Sequence, residues 1–296
     1  MKNKNRIENT YKIMAQSTDT GVYVHENMHK IGDMLLPDIF KSEYFVMHTA
    51  FSAAADLLSG LSIPITYCDD GGATAAFGDA GRTVPLHQRG YILDAISAAM
   101  LEKRNIDTGL KSFHAAPFPE YEFYDFAGDA VQISDDDYAH GTSEFYEAEL
   151  SENAVVESWF MLNDKKYPAS YSYTNADGIK FLVFLFRADT VKYGGSLAKS
   201  YYRQGQILTA LADMKSPSPA SVKKAPGLWL LCKQDEDTLA VAMCNFSSDE
   251  KINPVIELTE TFKTAEFIGL TGILTERGVS LEGLPAYRFG VVILKK

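Results

Sequence analysis

Residues 215–227 read KSPSPASVKKAPG, with three prolines and three serines in 13 positions. Proline fixes φ and carries no N–H, so such a stretch resists both helix and ladder and reads as a linker. The hydrophobic pattern changes across it. Upstream, short β-rich runs alternate with segments of helical spacing. Downstream, every apolar run is short and bounded by turn residues. A chain of 296 residues, at roughly 100–200 residues per domain, fits this division. We read a polar segment at 1–20, an α/β domain at 21–214, the linker at 215–226 and an all-β domain at 227–296.

Upstream, GVYVH (21–25) reads as a strand. Ser42 offers an N-cap for a helix carrying Tyr44, Met47, Phe51, Ala54 and Leu58 on one face and ending at Gly60. SIPITYC (62–68) reads as the next strand, and strand–helix–strand at this spacing indicates a βαβ unit in a parallel sheet. Residues 69–82 are rich in Gly, Ala and Asp and read as a loop. In GYILDAISAAMLEKRNID (90–107) the pattern predicts a strand over 91–93, an N-cap at Asp94 and a helix over 95–104. Strands are then predicted at 145–150, 155–162, 169–174 and 179–187, the last two joined by a hairpin turn at Asn175-Ala176-Asp177-Gly178. These form an antiparallel addition to the parallel sheet. Gly194-Gly195 opens a helix of roughly 196–213. Beyond the linker, about six strands in some 70 residues predict a small β-sandwich.

The formal net charge is −11, which argues against non-specific binding to nucleic acid or anionic membranes. The N-terminus lacks the apolar core of a signal peptide. The longest strongly apolar run, FLVFLF at 181–186, is far short of the roughly 20 residues that span a bilayer. Cys68, Cys232 and Cys244 are too few and too irregularly spaced for a disulfide framework or a CxxC zinc site. They read as free thiols of a reducing cytoplasm.

Cys68 is the one candidate nucleophile, because it closes an apolar run where α/β domains place ligands. Its setting, ITYCDDGG, is poor. The adjacent Asp69 and Asp70 oppose formation of a thiolate anion, no helix start follows, and the glycines lie on the wrong side for an elbow. Asp135-Asp136-Asp137 lacks the alternating ligand pattern of a calcium loop and reads as a solvated turn. The six histidines form no HExxH, and neither GxGxxG nor GxxxxGK[ST] occurs, so no metal, nucleotide or other cofactor is expected. In EYEFYDF (120–126) the aromatics Tyr121 and Tyr124 stand among carboxylates, a composition suited to stacking on sugars, although packing within a strand is the favoured reading.

Three longer stretches carry a resemblance. GYILDAISAAMLEKRNIDTGL resembles a strand–Asp–helix–x-Gly-Leu unit of large bacterial glycoside hydrolases. It lies there in the glutamine-amidotransferase-like domain known in one β-galactosidase family as the trimerisation domain. AVVESWFMLNDKKYPASYSYTNADGIKFLVFLF is similar to such proteins through Pro168, Ala169, Tyr171, Asn175 and Gly178. LEGLPAYRFGVVIL resembles their closing β-sandwich strand through Leu284, Pro285, Tyr287 and Phe289. The resemblance implies a parallel-sheet, amidotransferase-like (flavodoxin-like) α/β domain with an antiparallel addition, then a small all-β sandwich. It also implies a non-catalytic accessory region. The catalytic carboxylates of those enzymes stand on a (β/α)₈ barrel of roughly 250 residues, for which this chain has no room. The expected partners are a carbohydrate, a homo-oligomer or a catalytic barrel, with Asp69, Asp70, Tyr121 and Tyr124 as ligand contacts. The loop between Cys68 and Tyr91 is short for that domain. The alternatives are a cysteine hydrolase or amidotransferase using Cys68, and a stand-alone carbohydrate-binding protein.

Overall fold

The computed structural model describes residues 18–25, 53–86, 88–133, 144–188, 200–222 and 227–296. The first half of the expected helix from Ser42, together with His29, His48, His87, His140, Asp135–Asp137 and Gly194-Gly195, lies outside the described residues.

The elements run, in chain order, β1 (Thr18–Thr20), β2 (Val22–Val24), α1 (Ala53–Gly60), β3 (Ile65–Thr66), β4 (Ala73–Ala76), β5 (Gly90–Asp94), α2 (Ala95–Glu102), β6 (Leu110–Ala116), β7 (Tyr121–Tyr124), β8 (Asp129–Gln132), β9 (Phe145–Leu150), β10 (Val155–Leu162), β11 (Lys165–Thr174), β12 (Lys180–Phe184) and α3 (Tyr201–Asp213). Short strands follow: β13 (Ala220–Val222), β14 (Leu228–Gln234), β15 (Thr238–Asn245), β16 (Lys251–Ile252), β17 (Val255–Leu258), β18 (Thr264–Ile268), β19 (Gly272–Thr275), β20 (Gly278–Leu281), β21 (Gly283–Leu284) and β22 (Phe289–Lys295). They group into two compact units: Tyr23–Leu57 with Asp70–Pro217, and Met1–Val22 with Leu58–Asp69 and Ser218–Lys296.

In the first unit the sheet runs β2-β4-β5-β12-β11-β10-β7-β8. Pairing is parallel from β2 to β12 and antiparallel from β12 to β8. The structure is therefore mostly β, and the parallel character expected from the sequence is limited to β2, β4, β5 and β12. One of them, β4, falls in the stretch read as a loop. Its sequence ATAA has little β propensity, and it is a strand because both flanks are taken by parallel neighbours and all four residues are buried. Conversely, the strand expected over 62–68 shortens to Ile65–Thr66.

β12 explains the unbroken run FLVFLF. Phe181, Val183 and Leu185 join one core with Ala95, Ala98 and Leu101 of α2. The alternate residues Leu182, Phe184 and Phe186 are also buried, on the α3 side. Both faces are covered, so alternation disappears. Asp94 caps α2 as expected, accepting from Ser97 N at 2.8 Å. Its carboxylate also accepts from Gly78 N and Ala188 N, so one buried acid ties three segments together. The Asn175–Gly178 hairpin forms, with Asn175 Oδ1 accepting from Asp177 N and Ile179 N.

The second unit packs the sheet β1-β14-β15-β22-β18 and the sheet β13-β17-β20-β19 around one apolar core. Along β14 the residues alternate strictly, with Leu228, Leu230 and Cys232 inside and Trp229 and Leu231 outside, the pattern of a sandwich strand. Cys232 is a core residue whose thiol is pushed up by burial. Two segments outside the expected boundaries belong here. Thr18–Thr20 pairs with β14, and Ala220–Val222, within the proline- and serine-rich stretch, pairs with β17.

At Gly278 φ is +154°, and a Cβ would lie 2.0 Å from Ile256 O on the paired strand. Gly278→Ala is expected to lower the stability by at least about 1–3 kcal/mol, read as a reduced urea midpoint with unchanged slope.

Candidate functional site

Cys68 is exposed, two residues beyond β3, with its amide donating to Thr66 Oγ1. The next element is strand β4, so no helix starts directly after the thiol. Asp70 Oδ1 accepts from Gly72 N at 2.8 Å and closes a tight turn. On β7, Tyr121 is 41% exposed whereas Tyr124 has no exposed surface. Strand alternation divides the aromatic segment. Tyr121 and Phe123 project from one face, and the ring of Phe123 lies beneath the Lys166 ammonium that also covers Trp159. Glu122 and Tyr124 project from the other face. Tyr124 is thus inside, and its ring is closed to a ligand arriving from solvent.

The α3 face carries a buried polar network. Arg203, 0% exposed, donates from Nη2 to both carboxylate oxygens of Glu122, at 2.7 and 2.5 Å. Its Nη1 donates to Gln206 Oε1 at 2.5 Å. Gln206 Nε2 donates to Ser170 Oγ, Ser170 Oγ is 2.5 Å from Ser158 Oγ, and Ser158 Oγ donates to Glu122 Oε1. The circuit closes on the carboxylate where it began. Tyr124 OH donates to the other Glu122 oxygen, and burial pushes that phenol far above its ordinary range. Burial opposes the charge on Arg203, but Glu122 and Tyr124 together outweigh it and raise the guanidinium pKa above its ordinary value. The guanidinium lies 4.6 Å from the Phe184 ring centroid and 5.5 Å from that of Phe186.

Beside this network, α3 and the sheet enclose two adjoining chambers of about 290 and 150 Å³ that share Ser172, Ala210 and Asp213. The larger is also lined by Lys180 and Asn153, the smaller by Glu157, Phe126 and Gly205. Glu157 is placed by a β-bulge. Val156 pairs with Tyr171 and Ser158 with Ser170, leaving Glu157 as the extra residue of β10. A bulge re-aims a side chain, and such features concentrate beside functional sites. The carboxylate accepts from Ser172 Oγ at 2.6 Å. On α3, Gly205, Thr209 and Asp213 recur every fourth residue and line the smaller chamber.

None of these groove residues was expected from the sequence. Two signals existed. Glu157 stands as a charged residue inside the apolar run AVVESWF, and an isolated glycine interrupts a helical pattern at Gly205. Among the described residues, no cluster of three or more metal-ligating side chains occurs, and no helix is long and apolar enough to cross a membrane.

No protein-family model and no curated protein matches the sequence. Solved structures do match in fold. An α-L-fucosidase isoenzyme 2 from Paenibacillus thiaminolyticus aligns over 98% of this chain with a TM-score of 0.57 and 9% identity. A β-galactosidase from Bacillus circulans sp. alkalophilus aligns over 94% with a TM-score of 0.51 and 11% identity. A GH42 β-galactosidase, Gan42B, aligns over 94% with a TM-score of 0.50 and 12% identity. At such identities the likeness is one of fold. The chain spans 51%, 42% and 40% of those proteins, respectively.

Two outcomes follow for the site. Arg203→Met strands the Glu122 carboxylate in the interior and is expected to cost about 3–5 kcal/mol. Arg203→Met with Glu122→Met should recover part of that loss, measured by urea unfolding. Gly205→Ala meets nothing within 4 Å and should stabilise α3 by roughly 0.5–1 kcal/mol, seen as a higher denaturation midpoint.

Proposed function

We propose that this chain is an accessory, non-catalytic region of a carbohydrate-active enzyme, serving oligomerisation, support of a catalytic barrel or sugar contact. One observation carries the reading. Nearly the whole chain, 94–98%, aligns in fold with glycosidase chains of which it takes up only 40–51%. A polypeptide that corresponds to part of a larger glycoside hydrolase is suited to act with the remainder. On this reading the unit containing α3 corresponds to the amidotransferase-like, trimerisation-type domain, and the second unit is its β-sandwich. The three thiols suit a reducing cytoplasm.

The test is turnover. The purified chain, assayed against a broad panel of aryl glycosides including galactosides and fucosides, should release no aryl alcohol above the uncatalysed rate. Glycoside hydrolysis that disappears on substitution of a single carboxylate would overturn the reading.

A further inference from the structure

We propose that the groove between α3 and the sheet is a binding site for one neutral, hydroxyl-rich sugar residue, held by Glu157, Asp213 and Lys180. Three independent features of the groove are unexplained by folding. Gly205 stands in the middle of a 13-residue helix, where glycine weakens the helix relative to alanine. Close packing does not require it, because a Cβ there would meet nothing within 4 Å. Gly205 lines the smaller chamber, and a side chain larger than a methyl there would project into it. Asp213 sits in the last turn of α3, at the negative end of the helix dipole, where a carboxylate is disfavoured. Glu157 is turned into the same space by the bulge, and Ser172 fixes its orientation.

The charges select the ligand. Glu157 and Lys180 are half-buried, yet neither they nor Asp213 form an ion pair among the described residues. Two carboxylates disfavour an anionic ligand, and an ammonium in the adjoining chamber disfavours a cationic one. A neutral polyol satisfies both signs, since each hydroxyl donates to a carboxylate and accepts from an ammonium or amide. Asn153 and Ser172 extend the same chemistry along the groove, and Phe126, 57% exposed, offers an apolar ring at its wall. The larger chamber, at about 290 Å³, is near the lower bound of roughly 300–1,000 Å³ for small-molecule sites, the scale of a single sugar ring. The polyol class comes from the groove itself, while the choice of a saccharide rests on the carbohydrate-active reading above.

Isothermal titration of the whole chain with D-galactose, L-fucose, D-glucose, D-xylose and their methyl β-glycosides tests the site, with spermidine and inorganic phosphate as charged probes. At least one neutral sugar should bind, and neither charged probe should. Glu157→Gln should weaken that sugar about tenfold to a hundredfold, the loss of one charged hydrogen bond. Gly205→Leu should abolish binding by filling the chamber, and Gly205→Ala, which folds at least as well, should bind within about threefold of the parent. The proposal is overturned if no sugar gives heat, if spermidine or phosphate binds in a manner lost in Glu157→Gln or Gly205→Leu, or if those variants bind sugar as the parent does. A silent titration removes the groove without touching the accessory role, which falls only to turnover in the glycoside assay.

Discussion

The buried pair of Arg203 and Glu122 is the contact on which the sheet–helix unit turns. Removing two charges from water costs several kcal/mol per ion, and such a pair persists only where every donor and acceptor has a partner. Here the bidentate contact, the two serines, Gln206 and the tyrosine provide partners from four different elements. Geometry follows from that requirement. β7, β10 and β11 must present Glu122, Ser158 and Ser170 at matched heights, and α3 must lie where Arg203 and Gln206, one turn apart, both reach them. The aromatic rings of Phe184 and Phe186 accept the flat guanidinium on the remaining side.

Fixing α3 in this way also shapes the groove. The end of the helix that carries Arg203 is fastened to the sheet. Between and beyond the anchors Arg203 and Gln206, the residues Gly205, Thr209 and Ala210 line the chamber, and the sheet carries a bulge instead of a flat pleat. A buried, hydrogen-bonded patch therefore adjoins a cavity lined by Glu157, Asp213 and Lys180. Rigid support beside an open polar space is the arrangement in which side chains keep their orientation without filling the site themselves.

Much of the fold was legible because it depends on local periodicity. The strands at β14 and β12, the Asp94 cap of α2 and the Asn175–Gly178 turn are all short-range signals, and each appears where the residues indicate. β4 was not legible, because ATAA carries no strand signal of its own and is a strand through its neighbours. The antiparallel strands β10 and β11 fall where an antiparallel addition to the sheet was expected, and β7 and β8, not read as strands, widen the same sheet and make the unit mostly β.

The candidate contacts divide in the same way. Cys68 and Asp70 were read from one turn, and the structure leaves them as a turn. Tyr121 and Tyr124, three apart in a strand, look like one aromatic cluster in the sequence, yet the period of two sends them to opposite faces. The amino-acid order by itself determined the Asp94 cap, the Asn175–Gly178 turn and most of the strands whose apolar runs are bounded by turn residues, all of which depend on neighbours a few positions apart. Only the tertiary structure decided that Arg203 meets Glu122 across 81 positions and that Glu157 and Gly205 line one cavity. Partners that distant are chosen by strand register, by a bulge and by the seating of a helix, and no local pattern encodes those.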